Sequence, residues 1–201
     1  MSSIQWPFPS LGVGRRVRAR AQRWARKRQG TDGTVTELTS GRVYILPTGV
    51  GLVFALMTFA MLLGSMNYNN NLSFVLTFLL AALGFVSMHH CQRNLVGLEI
   101  SFAGVEPVFA GQSADFRIAV TNHSKSHRHH LQLYIDDIAS DIDDLAPGES
   151  RVFHLEIPTH ERGHVHLDRF GIRTLFPFEL LRAWAWLHMD LSGLVLSLIH
   201  I

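Results

Sequence analysis

The sequence predicts a helical membrane hairpin followed by an all-β antiparallel sandwich, with a basic tail in front of the hairpin. Three observations lead to this fold class. From Val43 to Gln92 the chain contains no Asp, Glu, Lys or Arg, although 17% of all its residues are charged. After Arg93, hydrophobic and polar residues alternate as they do in half-buried strands. Before Val43, the chain is dense in arginine. The corresponding regions, in chain order, are residues 1–42, 43–92, 93–190 and an atypical end at 191–201.

The tail is rich in Arg, Ser, Gly and Pro. Apolar residues within 13–28 fall at helical spacing among the arginines, which fits an amphipathic helix on anionic lipid, where each basic residue contributes about 1 kcal/mol. A disordered tail that only sets the membrane topology fits the same composition. Nucleic-acid binding is disfavoured, because no recognised nucleic-acid fold accompanies the charge. The basic residues that would face the membrane surface are Arg15, Arg16, Arg18, Arg20, Arg23, Arg26, Lys27 and Arg28.

Two apolar segments, residues 46–66 and 72–90, are each long enough to cross the lipid bilayer. A helix rises about 1.5 Å per residue and the hydrocarbon core is about 30 Å thick, so about 20 residues suffice. A central charge would cost about 3 kcal/mol, and neither segment contains one. The five residues between them, four of them asparagine, predict a tight turn at the far interface. A hairpin buried in a soluble domain would need a polar face, which neither segment has.

The charges that flank the hairpin predict its orientation. Basic residues precede the first helix and Arg93 follows the second, whereas the loop between them has none. By the positive-inside rule, both termini lie in the cytoplasm. No cleavable signal peptide is predicted, because the apolar run begins only after residue 42 and is long enough to stay in the membrane. The one cysteine, Cys91, excludes an intrachain disulfide.

The region after Arg93 contains short segments in which every second residue is apolar, separated by turn signals such as Ala146-Pro147-Gly148. This pattern is typical of an antiparallel sandwich of the immunoglobulin-like type. The alternation slips by one residue at Asp168-Arg169, which predicts a β-bulge. The alternating segments are 96–102, 114–120, 131–135, 153–157, 165–167, 170–176 and 184–186.

Four stretches together resemble the bacterial membrane proteins grouped as "domain of unknown function 58". They cover the start of the first helix, the asparagine turn, a strand connection and a Phe-Pro-Phe segment, at residues 42–48, 67–72, 107–111 and 176–184. The resemblance spans residues 41–187. It implies a bacterial inner-membrane protein with a hairpin, a sandwich and then a von Willebrand factor A-like domain. It also implies a MoxR-type AAA ATPase and other membrane proteins as partners, but no established molecular activity.

The end of the chain departs from this family pattern. The family continues well beyond Trp186, whereas this chain stops at Ile201 after an apolar stretch that lacks turn residues beyond Gly193. We therefore expect a fragment without the A-like domain, whose residues from about Leu191 come from a frameshift or a sequencing artefact.

Histidines and aspartates offer the main candidates for metal chemistry. His164 and His166 would share one face of a strand, a spacing that can bind zinc, but no third ligand has a defined spacing to them. The other candidate groups are the histidines 127, 129 and 130 and the aspartates 136, 137, 141, 143 and 144. The acidic group lacks the EF-hand spacing, and the chain has neither a Gly-x-Ser-x-Gly elbow nor a His-Glu-x-x-His helix. Solvated surface residues explain both groups, so we predict no catalytic residue, cofactor or metal site.

A group of aromatic residues with one arginine fits a partner surface, although packing at the edge of the core is the commoner role. Its members are Phe176, Phe178, Arg182, Trp184 and Trp186. The sequence thus predicts a non-enzymatic, membrane-anchored interaction or scaffold protein. One alternative is a metal-dependent hydrolase that uses the His and Asp clusters. Another is a subunit of a membrane transport complex, for which two helices without intramembrane charge make a poor pathway.

Overall fold

The computed structural model describes residues 33–68, 70–159 and 161–197. The predicted basic residues between positions 15 and 28 lie outside this part of the chain. The helices are α1 (Gly49–Tyr68) and α2 (Asn71–Leu95), and a short 3-10 turn covers Ser40–Arg42. The strands are β1 (Val35–Glu37), β2 (Val43–Pro47), β3 (Leu98–Val105), β4 (Val108–Phe109), β5 (Ser113–Asn122), β6 (Arg128–Ile135), β7 (Ile138–Ala139), β8 (Asp143–Leu145), β9 (Ser150–Pro158), β10 (Gly163–Leu167), β11 (Phe170–Thr174), β12 (Leu181–Leu187) and β13 (Leu191–Leu196).

Both predicted apolar helices are present, and each is long and apolar enough to cross a membrane, with a mean hydropathy of 2.0. Their large side chains are mostly exposed, as at Leu56 and Phe85. The turn between the helices falls at the asparagine cluster. There the side chain of Asn70 accepts hydrogen bonds from the backbone N–H groups of Leu72 and Ser73, which caps α2.

The strands form three open sheets. The first has the order β1-β3-β5-β9, the second β2-β12-β11-β6-β7 with β8 also on β6, and the third β10-β13-β4. All paired strands are antiparallel except β13 and β4, which are parallel. The hydrophobic core includes Phe116 and Ile118 of β5, Leu133 of β6 and Phe170 of β11, all fully buried. The antiparallel sheets predicted after the hairpin are therefore confirmed.

Two strands lie before the hairpin, where the sequence analysis predicted only a tail and the start of a helix. We expected the tail to reach residue 42 and the first helix to begin near residue 46, but β1 pairs with β3, and β2 pairs with β12. The helix begins only after Pro47. Leu38, between the two strands, is fully buried in the core. The β domain is thus built from residues on both sides of the hairpin.

The second helix continues beyond its predicted end at residue 90 and enters the β domain. Cys91, Asn94 and Leu95 of its last turns are buried. The side-chain amide of Asn94 donates to the carbonyl of His129 at 2.6 Å and to Thr174 Oγ1 at 2.8 Å. Its own oxygen accepts from the backbone N–H of His129 at 2.9 Å. These bonds join the hairpin firmly to strands β6 and β11.

The predicted bulge at Asp168-Arg169 was wrong. At this point the chain leaves β10 in the third sheet and enters β11 in the second, and both Leu167 and Phe170 are buried. The slip in alternation therefore marks a change of sheet. Within the atypical end, residues 191–196 form β13, in which Leu191 and Val195 are buried.

Candidate functional site

The candidate site lies on the outer face of the second sheet. In β12, Ala183, Ala185 and Leu187 are fully buried, so the alternate residues project from the opposite side. Neighbouring strands add side chains to the same side, because the strands are in register. We call this surface the arginine–aromatic face. Its residues are Tyr44, Gln132, Tyr134, Arg169, Arg173, Arg182, Trp184 and Trp186.

Two pairs of aromatic rings cover the middle of this face. Trp184 stacks on Tyr44 with 5.9 Å between ring centroids, because these residues stand opposite each other in β12 and β2. Trp186 contacts Tyr134 at 5.1 Å, although β11 lies between their strands. The residue of β11 opposite both rings is Gly171, which has no side chain to separate them. The rings therefore form a layer that reaches from β2 to β6.

Two arginines are held against this layer. The Cζ atom of Arg169 lies 4.4 Å from the centroid of the Trp186 ring, and that of Arg173 lies 5.0 Å from the Tyr134 ring. Both distances are typical of cation–π contacts, which are worth about 0.5–1 kcal/mol at exposed sites. Arg173 also donates from Nε and Nη2 to Oε1 of Gln132, at 2.9 and 2.8 Å. Among the described residues, the groups that hold these guanidiniums are aromatic rings and a neutral amide.

The charge on this face is uniformly positive at its centre. Burial lowers the pKa of Arg173, and the neighbouring charge of Arg182 lowers it further. Burial raises the pKa of Tyr134, and the charges of Arg173, Arg169 and Arg182 partly offset that rise. Within the described part of the chain, no carboxylate forms an ion pair with Arg173 or Arg182. Arginine stays protonated despite such shifts, so Arg173 and Arg182 give the face clustered positive charge that no carboxylate of the described residues neutralises.

One end of the face adjoins the hairpin. Strand β2 leads through Thr48 into α1, and Thr48 Oγ1 donates to the carbonyls of Glu179 and Leu180, at 2.5 and 3.1 Å. Gly51 in the first turn of α1 packs directly on the Leu180 carbonyl. Arg182 lies two residues after Leu180, at the start of β12. The arginine–aromatic face therefore begins beside the helices and continues along β12.

The structure places the five residues of the predicted partner surface in three positions. Arg182, Trp184 and Trp186 lie together on the arginine–aromatic face. Phe178 lies in the turn before β12 and is 66% exposed. Phe176 instead packs on the ring of His129, at 4.7 Å between centroids. The sequence argument missed the residues that other strands contribute, and only the alternation in β11, which puts Arg173 on the outer side, signalled one of them.

Three members of the histidine and aspartate clusters form pairs with other side chains. His129 Nδ1 lies 2.9 Å from Asp144 Oδ2, and Arg151 pairs with Asp143. The rings of His164 and His166 lie 6.2 Å apart on β10. Among the described residues, no group of three or more His, Cys, Asp or Glu side chains is arranged to hold a metal ion.

No family model matches the chain, and no curated protein matches its sequence.

Proposed function

We propose that this protein is a membrane-anchored, non-enzymatic interaction protein that docks a partner on its arginine–aromatic face. The observation that carries the proposal is the composition of that face. Tyr, Trp and Arg are the residue types enriched in protein interfaces and in their hot spots. Here they form one layer over adjacent strands, and the rings and guanidinium groups are already ordered by mutual contact.

The two helices supply the anchor. In both, only 11% of the most apolar window is buried, whereas a core helix of a soluble protein is mostly buried. Exposed apolar side chains all around two adjacent helices need a covering, and lipid provides it. The start of α1 and the end of α2 both meet the β domain, so that domain lies at one membrane surface.

We further propose the bacterial inner membrane as the location, with both termini in the cytoplasm. Arg42 and Arg93 flank the hairpin on the side of the β domain, and the turn at residues 67–71 has no basic residue. The positive-inside rule then orients the β domain toward the cytoplasm. The resemblance to the domain of unknown function 58 supports the same location, an immunoglobulin-like sandwich, and a MoxR-type AAA ATPase or another membrane protein as partner.

A site-specific photocrosslinking experiment tests the docking surface. A photoreactive phenylalanine analogue replaces Trp184 in one variant and Val152, an exposed residue of β9 in the first sheet, in the other. In native membranes, we expect a discrete crosslinked product from position 184 and none from position 152. Equal crosslinking from both positions, or none from either, contradicts the docking function.

The anchor and its orientation are tested separately. After washing with alkaline carbonate, the protein should stay in the membrane pellet. A reporter enzyme that works only in the cytoplasm, fused after residue 197, should be active. Release into the supernatant would refute the anchor, and an external reporter would refute the orientation.

A further inference from the structure

We propose that the ligand of the arginine–aromatic face is an acidic segment of a partner protein, bound in extended conformation along β11 and β12. This inference rests on the proposed docking function, because it names the chemistry of the partner for the same face.

The uncompensated charge selects an acidic ligand. Arg173 lies over the Tyr134 ring, and Arg169 lies over the Trp186 ring that contacts it. The charges of both, and that of Arg182, act on the Tyr134 hydroxyl. A partner that covered these guanidinium groups without neutralising them would bury unpaired charge, which is costly. Carboxylates are the protein groups that match a guanidinium, and they accept two parallel hydrogen bonds from it. A partner without carboxylates would leave this charge unneutralised, so an acidic segment matches the centre of the face best.

The spacing of the arginines selects an extended chain. Arg169 directly precedes β11 and Arg173 lies within it, four residues further along the chain, which corresponds to about 13 Å of extended backbone at 3.3 Å per residue. Arg173 stands opposite Trp184, so Arg182 is its diagonal neighbour on β12, about 7–8 Å away between backbones. In an extended peptide, residues on one side recur about every 6.6 Å. Carboxylates at alternate positions would therefore meet both spacings.

The ring layer prepares the arginines for this role. Arg169 rests on Trp186, and Arg173 is held by Tyr134 and Gln132, so part of their side-chain freedom is lost before any partner arrives. Because less entropy remains to be lost, each ion pair contributes more to affinity than one formed by a mobile lysine. The rings also give apolar contact to the residues between the carboxylates of the ligand.

Lipid headgroups are a weaker fit to the same charges. Arg182 begins β12 beside the hairpin, but Trp186 and the Arg169 side chain on it lie four residues further along the strand, about 13 Å away. The headgroup layer on each side of the bilayer is only about 5–8 Å thick. With β12 standing along the membrane normal, anionic lipid would engage Arg182 and leave Arg169 beyond the headgroup layer.

The test is a binding titration with the full-length protein in a non-ionic detergent. The probe is a fluorescein-labelled ten-residue peptide of alternating Glu and Val, and its control has Gln in place of every Glu. We expect a saturable rise in fluorescence anisotropy with the Glu peptide only, weakened by added salt. The double variant R169Q/R182Q should bind about tenfold more weakly, because two charge-assisted contacts are lost.

Matched variants show whether binding of the Glu peptide depends on the arginines of this face or on positive charge anywhere on the protein. Arg117→Gln removes an arginine of β5, in the first sheet, that pairs with Glu106 in the loop after β3, and it should leave the affinity unchanged. The charge reversal R182E, at an exposed position, should abolish binding while the melting temperature stays that of the wild type. An equal loss of affinity in Arg117→Gln, or unchanged affinity in R182E, would overturn the proposal.

Two further probes identify a different ligand class. Stronger binding of a ten-nucleotide single-stranded DNA than of the Glu peptide would replace the acidic segment with nucleic acid. Binding of short-chain phosphatidylglycerol that depends on Arg182 but not on Arg169 would replace it with lipid. Crosslinking from position 184 without binding of the Glu peptide would support the docking function and refute only its acidic ligand. If neither crosslinking nor peptide binding is observed, the docking function and the acidic ligand are both refuted.

Discussion

The ring of Tyr134 lies over the backbone of Gly171, where any other residue would place its β-carbon. A β-carbon built on Gly171 would lie 2.5 Å from Cε1 and Cζ of the ring and 2.8 Å from its hydroxyl oxygen. The same ring contacts Trp186 and supports Arg173. Because Gly171 has no side chain, the Tyr134 ring of β6 can reach the Trp186 ring of β12 across β11. The continuity of the arginine–aromatic face depends on this contact.

Replacement of Gly171 by alanine should therefore disrupt the face. The new methyl group must displace the outer atoms of the Tyr134 ring, which can turn aside at the loss of the ring contacts, so we expect a loss of about 1 kcal/mol, at the low end of overpacking effects. We expect a lower melting temperature for Gly171→Ala in detergent, and a change in tryptophan fluorescence as Trp186 loses its neighbour. Thermal unfolding followed by circular dichroism measures the first effect.

A double-mutant cycle assigns this loss to the ring. In a Tyr134→Ala background the methyl group has space, so Gly171→Ala should be far less destabilising there. Gly41→Ala is the matched control, because a β-carbon at Gly41 meets no atom within 4 Å. Equal destabilisation by Gly171→Ala with and without the Tyr134 ring would show that the ring is not the cause.

The elements that could be predicted from the sequence are those with a local signature. An uncharged run of fifty residues predicts two apolar helices without knowledge of their neighbours. Alternation with a period of two predicts strands such as β5 and β9, because each strand shows one face to the core. Both kinds of pattern are contained within the segment itself.

Pairing between distant segments could not be predicted in this way. Strands β1 and β2 are short, and their partners β3 and β12 lie on the other side of the hairpin in the sequence. The slip at Asp168-Arg169 shows a second limit. Alternation reports which side of a strand is buried, but it does not report which sheet the strand joins, so a change of sheet resembles a bulge.

The candidate site shows the same division. Arg182, Trp184 and Trp186 were found because they form a local cluster of aromatic residues with one arginine in the sequence. Tyr44 and Tyr134 were missed because they reach the face only through the register of β2 and β6 with their neighbours. Gly171, on which the assembly of the rings depends, has no functional side chain that a search for chemistry could detect.

The contact between Gly51 and Leu180 provides a test of how the hairpin meets the β domain. A β-carbon on Gly51 would lie 1.9 Å from the carbonyl oxygen of Leu180, and a backbone atom cannot rotate away from it. We expect Gly51→Ala to destabilise the protein by about 3 kcal/mol or more, at the upper end of overpacking effects. Limited trypsin digestion of the purified protein should then cleave at Arg182 faster than in the wild type.

The same substitution elsewhere in α1 controls for helix propensity. A β-carbon on Gly64 meets no atom within 4 Å, so Gly64→Ala should show no loss of stability and no faster cleavage. If Gly64→Ala were as harmful as Gly51→Ala, the effect would belong to the helix in general and not to its contact with the turn before β12.

The amide of Asn94 should stabilise the junction between α2 and the β domain. Asn94→Ala removes two donated hydrogen bonds and leaves the backbone N–H of His129 without its acceptor. An unsatisfied buried polar group costs about 1–3 kcal/mol, so we expect a loss of that size in the free energy of unfolding. Gln92→Ala, which removes only an exposed bond to Ser40, should lower stability far less. Equal losses in the two variants would contradict the role of the junction.

Acid should destabilise the β domain through carboxylates that form ion pairs. The hydrogen bond from Arg151 lowers the pKa of Asp143. Burial raises the pKa of Asp144, but hydrogen bonds from the His129 ring and the His130 backbone together outweigh burial, so its net shift is downward. A carboxyl group whose pKa is lower in the folded state stabilises the fold above its unfolded pKa, which is about 3.9 for aspartate. That contribution is lost as the pH falls from about 4 toward the lower folded pKa.

Asp143 and Asp144 stay ionised between pH 7 and pH 5, so their contribution to the melting temperature should be constant in that range. Below about pH 4 the melting temperature should fall steeply. Asp144→Asn removes one of the groups that must be protonated, so its melting temperature should be lower at pH 7 and should fall less on acidification. Glu156→Gln, an exposed position of β9, is the control and should follow the wild type. Thermal unfolding at pH 7, 5, 4 and 3 measures these slopes. An Asp144→Asn curve parallel to that of the wild type would mean that the bonds from His129 and His130 do not stabilise the folded state.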